Sequence, residues 1–242
     1  MDWLVKTGNN SDNGDIQKGM TSFLLFIKRV LYKLGIDIRF VKKEEPCSAL
    51  ELNDVDTVNR AWSDEKVSSK FLSKSVLAMY KDILFTLDTL GIELSGKNVI
   101  DVGCGNGMLL KYLSDKYSIS SQTGMEYAEA ALEVAGRLHP AASYIVHDIN
   151  QPYHMQYDAI FCTEVLEHIR FPVQAFKNLL GMLKDGGMIF ITVPNGRTDT
   201  FSGHINFWSP ESWEVFVREN SEGLKHATGV MGTGLNYAIL YK

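Results

Sequence analysis

The stretch that most restricts the fold is Asn98-Val-Ile-Asp-Val-Gly-Cys-Gly-Asn-Gly107, followed by Met108-Leu-Leu-Lys-Tyr-Leu113. An apolar, β-branched run, three glycines at alternate positions and an amphipathic segment read as strand, tight turn and helix. Such a turn brings backbone N–H groups and the positive end of a helix close to a ligand. The pattern continues downstream. Strand-like tracts at 121–125, 143–146 and 157–162, and another after Gly186-Gly187, alternate with helical ones at 128–138 and around 179–184. Alternation of this kind predicts an α/β fold, doubly wound, with a mostly parallel sheet covered by helices on both faces.

A chain of 242 residues, 45% apolar and 22% charged, suffices for one large domain with an appendage. The net charge of −5 argues against a broad nucleic-acid-binding surface. Cys47, Cys104 and Cys162 form neither zinc spacing nor a disulfide framework, which predicts a reducing, cytoplasmic setting. No apolar run approaches the roughly 20 residues that span a bilayer.

The first 65 residues form the expected appendage. Residues 1–19 are polar and read as a mobile leader. Over 21–34, Phe23, Phe26, Ile27, Val30, Leu31 and Leu34 recur at helical spacing opposite Lys28, Arg29 and Lys33. This basic amphipathic helix, with its positive bias running to residue 43, suits packing on the domain or a second subunit. The alternative is peripheral contact with an anionic membrane through 21–43. Residues 44–65 carry seven acids against Arg60 and read as a linker. A helix is expected over 66–91, stopped by Gly91, and the second domain runs 66–242.

Chemistry enters at the glycine turn. Its spacing, Gly103-x-Gly105-x-Gly107, differs from the Gly-x-Gly-x-x-Gly of dinucleotide sites, and Asp101 precedes it. A carboxylate there repels phosphate and suits a ligand with an ammonium group. Glu126, at the end of the second strand and 23 residues past Gly103, stands near the offset where a carboxylate meets ribose hydroxyls. Tyr127 beside it suits stacking on a base. Asp-x-Gly-x-Gly-x-Gly resembles the first motif of the class I S-adenosylmethionine-dependent methyltransferases. The tract Val165-Leu-Glu-His-Ile, Pro172 and Leu179 to Asn195 resembles the small-molecule branch of that family.

The resemblance covers about residues 60–242. It implies a seven-stranded Rossmann-like sheet whose last strand is antiparallel, here from a hairpin through Met231-Gly-Thr-Gly234. It implies an S-adenosylmethionine site built from Asp101, Gly103, Cys104, Gly105, Asn106, Gly107, Glu126, Tyr127, Asp148, Ile149, Thr163 and Glu164, with Asp148 and Ile149 at the adenine. It also implies a segment before the first strand that closes over the ligands. Trp62 is a candidate lid residue; Tyr80, within an apolar stripe, suits the core better.

His168 and His204 are the candidate catalytic bases for a hydroxyl acceptor. If residues 164–168 are helical, Glu164, Glu167 and His168 share a face. With His204 from the loop Gly203-His-Ile-Asn-Phe-Trp-Ser-Pro210, that set resembles the divalent-metal site of ubiquinone-pathway O-methyltransferases and small-RNA 2′-O-methyltransferases. Carboxylate-rich helical faces more often carry solvent or salt bridges, so a divalent metal is the lesser expectation beside the S-adenosylmethionine cofactor. The expected activity is methyl transfer, at oxygen, to a small-molecule, glycan or lipid-linked acceptor, with no nucleic acid partner. The rival readings are a cofactor-binding scaffold without catalysis and an RNA 2′-O-methyltransferase.

Overall fold

A computed structural model describes residues 49–242. The leader, the basic helix at 21–34 and the membrane contact expected through 21–43 lie outside the described residues. The sheet has seven strands, β1 (Asn98–Val102), β2 (Ser121–Glu126), β3 (Ser143–Val146), β4 (Tyr157–Thr163), β5 (Leu183–Val193), β6 (Lys225–Val230) and β7 (Asn236–Tyr241), in the order β3-β2-β1-β4-β5-β7-β6. β1 to β5 run parallel, and β7 lies antiparallel between β5 and β6, as the alternation and the terminal hairpin predict.

The helices are α1 (Ala49–Leu52), α2 (Val55–Ser63), α3 (Glu65–Ser68), α4 (Lys74–Thr89), α5 (Met108–Lys116), α6 (Glu129–Leu138), α7 (Pro172–Gly181) and α8 (Pro210–Asn220). Successive strand side chains point to opposite faces, and both faces of the central strands are covered. On one face Val99, Phe161 and Phe190 pack with Ile83 and Leu87 of α4 and Leu109 and Leu113 of α5. On the other, Ile100, Ile160 and Ile191 pack with Phe176 and Leu179 of α7 and Trp213 and Val217 of α8. This is why β4 reads as an almost unbroken apolar run.

Three local expectations change. The helix expected over 66–91 is interrupted: a 3-10 turn spans Ser69–Leu72, and Ser73 is extended (φ −64°, ψ 158°) before α4 begins. Serine favours the position ahead of a helix, and the break lets Phe71 stack on Trp62, ring centroids 4.3 Å apart. The acidic segment read as a linker is helical in α1 and α2, where Val58 and Trp62 pack on Ala131 of α6 and on Ala128, which precedes it. Finally, β5 begins before Gly186-Gly187. Tyr157 pairs with Leu183 and Ala159 with Met188, so extra residues bulge where Gly186 takes φ +75°.

Candidate active site

Open parallel sheets bind ligands beyond the carboxyl ends of their strands. Here those ends present two clusters. The first is the glycine turn after β1. Gly103, Gly105 and Gly107 have φ of 74°, 49° and 72°, a region that side chains disfavour. A Cβ on Gly103 would stand 2.2 Å from Val165, and one on Gly105 would stand 3.2 Å from the Trp62 ring. The turn therefore needs glycine for its own path and for what lies against it. Trp62 is buried over Gly105, packed with Ala128 and Ala131, and the Asn106 amide donates to the Phe71 carbonyl at 3.4 Å. Tyr80 lies in the core, 5.7 Å from the Tyr112 ring.

Asp101 is 2% exposed and its Oδ1 has no hydrogen-bond partner among the described residues. Burial, with Glu126 nearby, pushes its carboxyl well above the usual range. A buried acid without a partner is a polar group that the described residues leave unanswered. Glu126 is equally hidden but fully engaged. It accepts from the backbone N–H groups of Gly105 (3.3 Å), Tyr127 (2.8 Å) and Ala128 (3.1 Å), tying β2 to the turn.

The adenine-side residues are split. Tyr127 donates its hydroxyl to the Asn53 carbonyl at 3.3 Å, fastening the N-terminal segment. Ile149 is buried, and its carbonyl accepts from Asn178 at 2.6 Å. Asp148 is exposed and turns onto its own loop, accepting from the Asn150 backbone at 2.9 Å. It borders a cavity of about 840 Å³ with Asn150, Arg170 and Phe171. Cys104 is buried in the turn, and burial pushes its thiol up, so it packs and does not react.

The second cluster follows β4. Thr163 ends the strand, paired with Thr192. The helical face expected for Glu164, Glu167 and His168 does not form. Glu164 adopts φ +57°, and only Leu166–His168 make a 3-10 turn. Glu164 consequently diverges from the other two. Its backbone N–H donates to the Thr192 carbonyl (3.1 Å), and its carboxylate accepts from the Thr192 hydroxyl (2.9 Å). Burial holds its carboxyl up at about 7. A non-glycine residue at positive φ is uncommon and concentrates at functional sites.

Glu167, His168 and His204 do converge. Glu167 is fully buried, and neither of its oxygens has a hydrogen-bond partner among the described residues. Its Oε1 stands 3.9 Å from Nε2 of His168 and 3.9 Å from Nε2 of His204. His168 Nδ1 donates to the Gly203 carbonyl (3.2 Å), and His204 Nδ1 donates to the Asp199 carboxylate (2.5 Å). Both Nε2 atoms face the Glu167 carboxyl, and in the neutral imidazoles both carry lone pairs. Burial and Glu164 push Glu167 well above the carboxylate range, and burial lowers His168 to about 4. Three ligand atoms lie within 4.8 Å of one another, a spacing a single metal ion would bridge. Their donor set and outer hydrogen bonds fit a divalent ion such as zinc or manganese.

His204 reaches this place through Asn206. Its amide donates to the carbonyls of Leu166 (3.0 Å) and Ile169 (2.7 Å), while Ile205 and Asn206 backbone N–H groups donate to the Glu167 carbonyl. The loop before α8, capped by Ser209 onto Ser212, is thereby stitched to the 3-10 turn. Sequence reasoning missed Asp199, Thr192, Asn53 and the clamping role of Asn206. The turn-like His-x-Asn-Phe spacing held a signal for Asn206 alone.

The fold, the glycine turn with its unpartnered acid, and the Glu-His cluster point one way. Residues 78–221, more than half of the chain, match the family model described as a methyltransferase domain. The chain belongs to the class I S-adenosylmethionine-dependent methyltransferases. Among curated relatives, this methyltransferase is 32% identical over 157 residues to the ubiquinone biosynthesis O-methyltransferase of Marinobacter nauticus, covering 56% of the chain and 65% of the relative. It is 33% identical over 117 residues to that of Bordetella bronchiseptica, covering 45% and 47%. The matches thus span about half to two thirds of those relatives. In solved structures, the N-methyltransferase NodS of Bradyrhizobium japonicum, in complex with S-adenosyl-L-homocysteine, superposes with a TM-score of 0.61 at 17% identity, over 78% of this chain and 97% of that one. The methyltransferase domain of bacterial CtHen1-CN gives 0.56 at 20%, over 68% and 97%. At these identities the structures establish the fold.

Proposed function

We propose that this chain transfers a methyl group from S-adenosylmethionine to a hydroxyl oxygen of a small-molecule acceptor, beside a divalent cation held by Glu167, His168 and His204. The observation that carries the reading is the fully buried Glu167 carboxylate, unpartnered and 3.9 Å from two imidazole Nε2 atoms. The sulfonium of the cofactor supplies an electrophilic methyl, so the chemistry asked of the protein is binding and alignment. Asp101 would take the cofactor's ammonium group, the glycine turn would admit its amino acid end, and Glu126 would accept from the ribose hydroxyls. Trp62 over the turn would exclude water. Tyr127, Asp148 and Ile149 would surround the adenine, with Thr163 and Glu164 along the pocket floor.

A bound divalent cation supplies Lewis acidity toward an acceptor oxygen and lowers the pKa of its hydroxyl. His168, with a pKa near 4, is too weak a base to take that proton efficiently at neutral pH. The same neutral imidazole is a good ligand, which favours His168 as a ligand over the role of free base. Phe201 and Phe207, each about half exposed, stand 4.9 and 6.4 Å from the His204 ring. They would flank the apolar body of the acceptor.

The test is calorimetric titration with S-adenosylhomocysteine, followed by turnover on a panel of hydroxylated acceptors with and without chelator. Micromolar binding is expected, weakened at least tenfold in Asp101→Asn, with turnover lost in chelator. Full turnover in chelator would remove the cation. No cofactor binding by folded protein would put the non-catalytic scaffold forward, and turnover confined to RNA would move the acceptor to nucleic acid.

A further inference from the structure

The two histidines facing Glu167 are oriented by different kinds of partner. His168 is held by a backbone carbonyl, that of Gly203, at 3.2 Å. His204 is held by a carboxylate, Asp199 Oδ2, at 2.5 Å, with the two side chains only 11% and 8% exposed. The other carboxylate oxygen, Oδ1, accepts from the Phe201 backbone N–H at 3.1 Å. Asp199 is therefore anchored on one side by its own loop and aimed on the other at one ring nitrogen.

We infer that Asp199 is a positioning residue that locks His204 in the Nδ1–H tautomer, keeping its Nε2 lone pair on the Glu167 side. An ionised carboxylate has only acceptors, so the proton between Asp199 and His204 belongs to Nδ1. The opposite tautomer would aim an N–H at the point where three ligand atoms converge and close it to a cation. A negative partner also makes the distal nitrogen a better donor to a metal, as outer carboxylates do for ligating histidines generally. The role of Asp199 toward a cation rests on the cation reading above; its hold on the tautomer does not.

Asp199→Asn separates the two. The Phe201 N–H can only donate, so it claims the new amide's oxygen. The amide NH₂ then faces His204 Nδ1, which must become an acceptor and move the proton to Nε2. Size and loop anchoring are kept. Two measurements on the full chain read the consequence: long-range ¹H–¹⁵N spectra of the histidine rings without metal, and titration with Co²⁺ followed by its visible absorption. Expected are an Nδ1–H tautomer for wild-type His204, an Nε2–H tautomer in Asp199→Asn, and at least tenfold weaker Co²⁺ binding in the variant, with thermal unfolding and S-adenosylhomocysteine affinity unchanged. An Nε2–H tautomer in the wild type overturns the inference without recourse to the variant. So does an unchanged tautomer with Co²⁺ affinity within twofold in Asp199→Asn. If the wild type binds no Co²⁺ while the tautomer still switches, the cation reading falls and the positioning role of Asp199 stands.

Discussion

Glu126 and Glu167 are both buried at the carboxyl edge of the sheet, and the protein treats them in opposite ways. Glu126 accepts three backbone N–H groups from the turn it supports. Glu167 accepts none among the described residues, and two imidazole nitrogens stand 3.9 Å from its Oε1. A buried carboxylate with amide donors strengthens the fold around it. One without donors weakens the isolated fold and is kept for what it binds. The glycine turn is thus largely satisfied by its own donors, Asp101 excepted, whereas the cluster around Glu167 leaves its acid without a hydrogen-bond partner among the described residues.

Substitutions at the two positions break or sharpen this contrast. The largest effect is expected for Glu167→Gln, which should cost at least a hundredfold in Co²⁺ affinity and in turnover while leaving thermal stability unchanged or raised. A loss of about 2 kcal/mol in unfolding experiments would instead make Glu167 a structural acceptor like its counterpart. Next, Glu126→Ala strands three amide donors and should destabilise the metal-free protein by about 2 kcal/mol in urea titrations, with weaker S-adenosylhomocysteine binding. Stability equal to wild type would show that the turn holds without its acid.

The smallest effect concerns pH. Glu164 sits at about 7 in the folded protein against an ordinary value of 4.5, and Glu167 is shifted the same way. A raised carboxyl favours the protonated fold. Its contribution is complete below about 4.5 and is lost as pH rises through about 7. In chelator, Glu164→Gln should therefore gain on the wild type as pH increases from 5 to 8, by urea unfolding at each pH. A difference that stays flat over that range would mean Glu164 is not raised.

The cofactor side was legible because its parts are close in sequence. Asp101 and the three glycines occupy seven residues, and Glu126 follows one helix later at the end of the adjacent strand. Local backbone rules determine such a unit: left-handed turn positions demand glycine, and parallel pairing of β1 with β2 sets Glu126 beside the turn. The alternation of apolar strands and amphipathic helices likewise determined the sheet and its two covered faces, since each element must bury its apolar side.

The tertiary structure alone decided the cluster after β4. Helical spacing joined Glu164 to Glu167 on paper, but the positive φ at Glu164 turned its carboxylate onto the Thr192 hydroxyl, leaving Glu167 to meet the two histidines. Nothing local ties His204 to Glu167; Asn206 does so by bonding carbonyls 37 and 40 residues away. Asp199 and Asn53 act through partners that only the folded loop brings near, among them the Gly203 carbonyl shared by Asn53 and His168. Trp62 lies over Gly105 and stacks on Phe71, which the interruption of an expected helix at 69–73 brings to it. Sequence periodicity reports which face of an element is buried. Which polar groups meet beyond the strand ends depends on loop paths, and those are chosen by long-range hydrogen bonds that satisfy buried backbone groups.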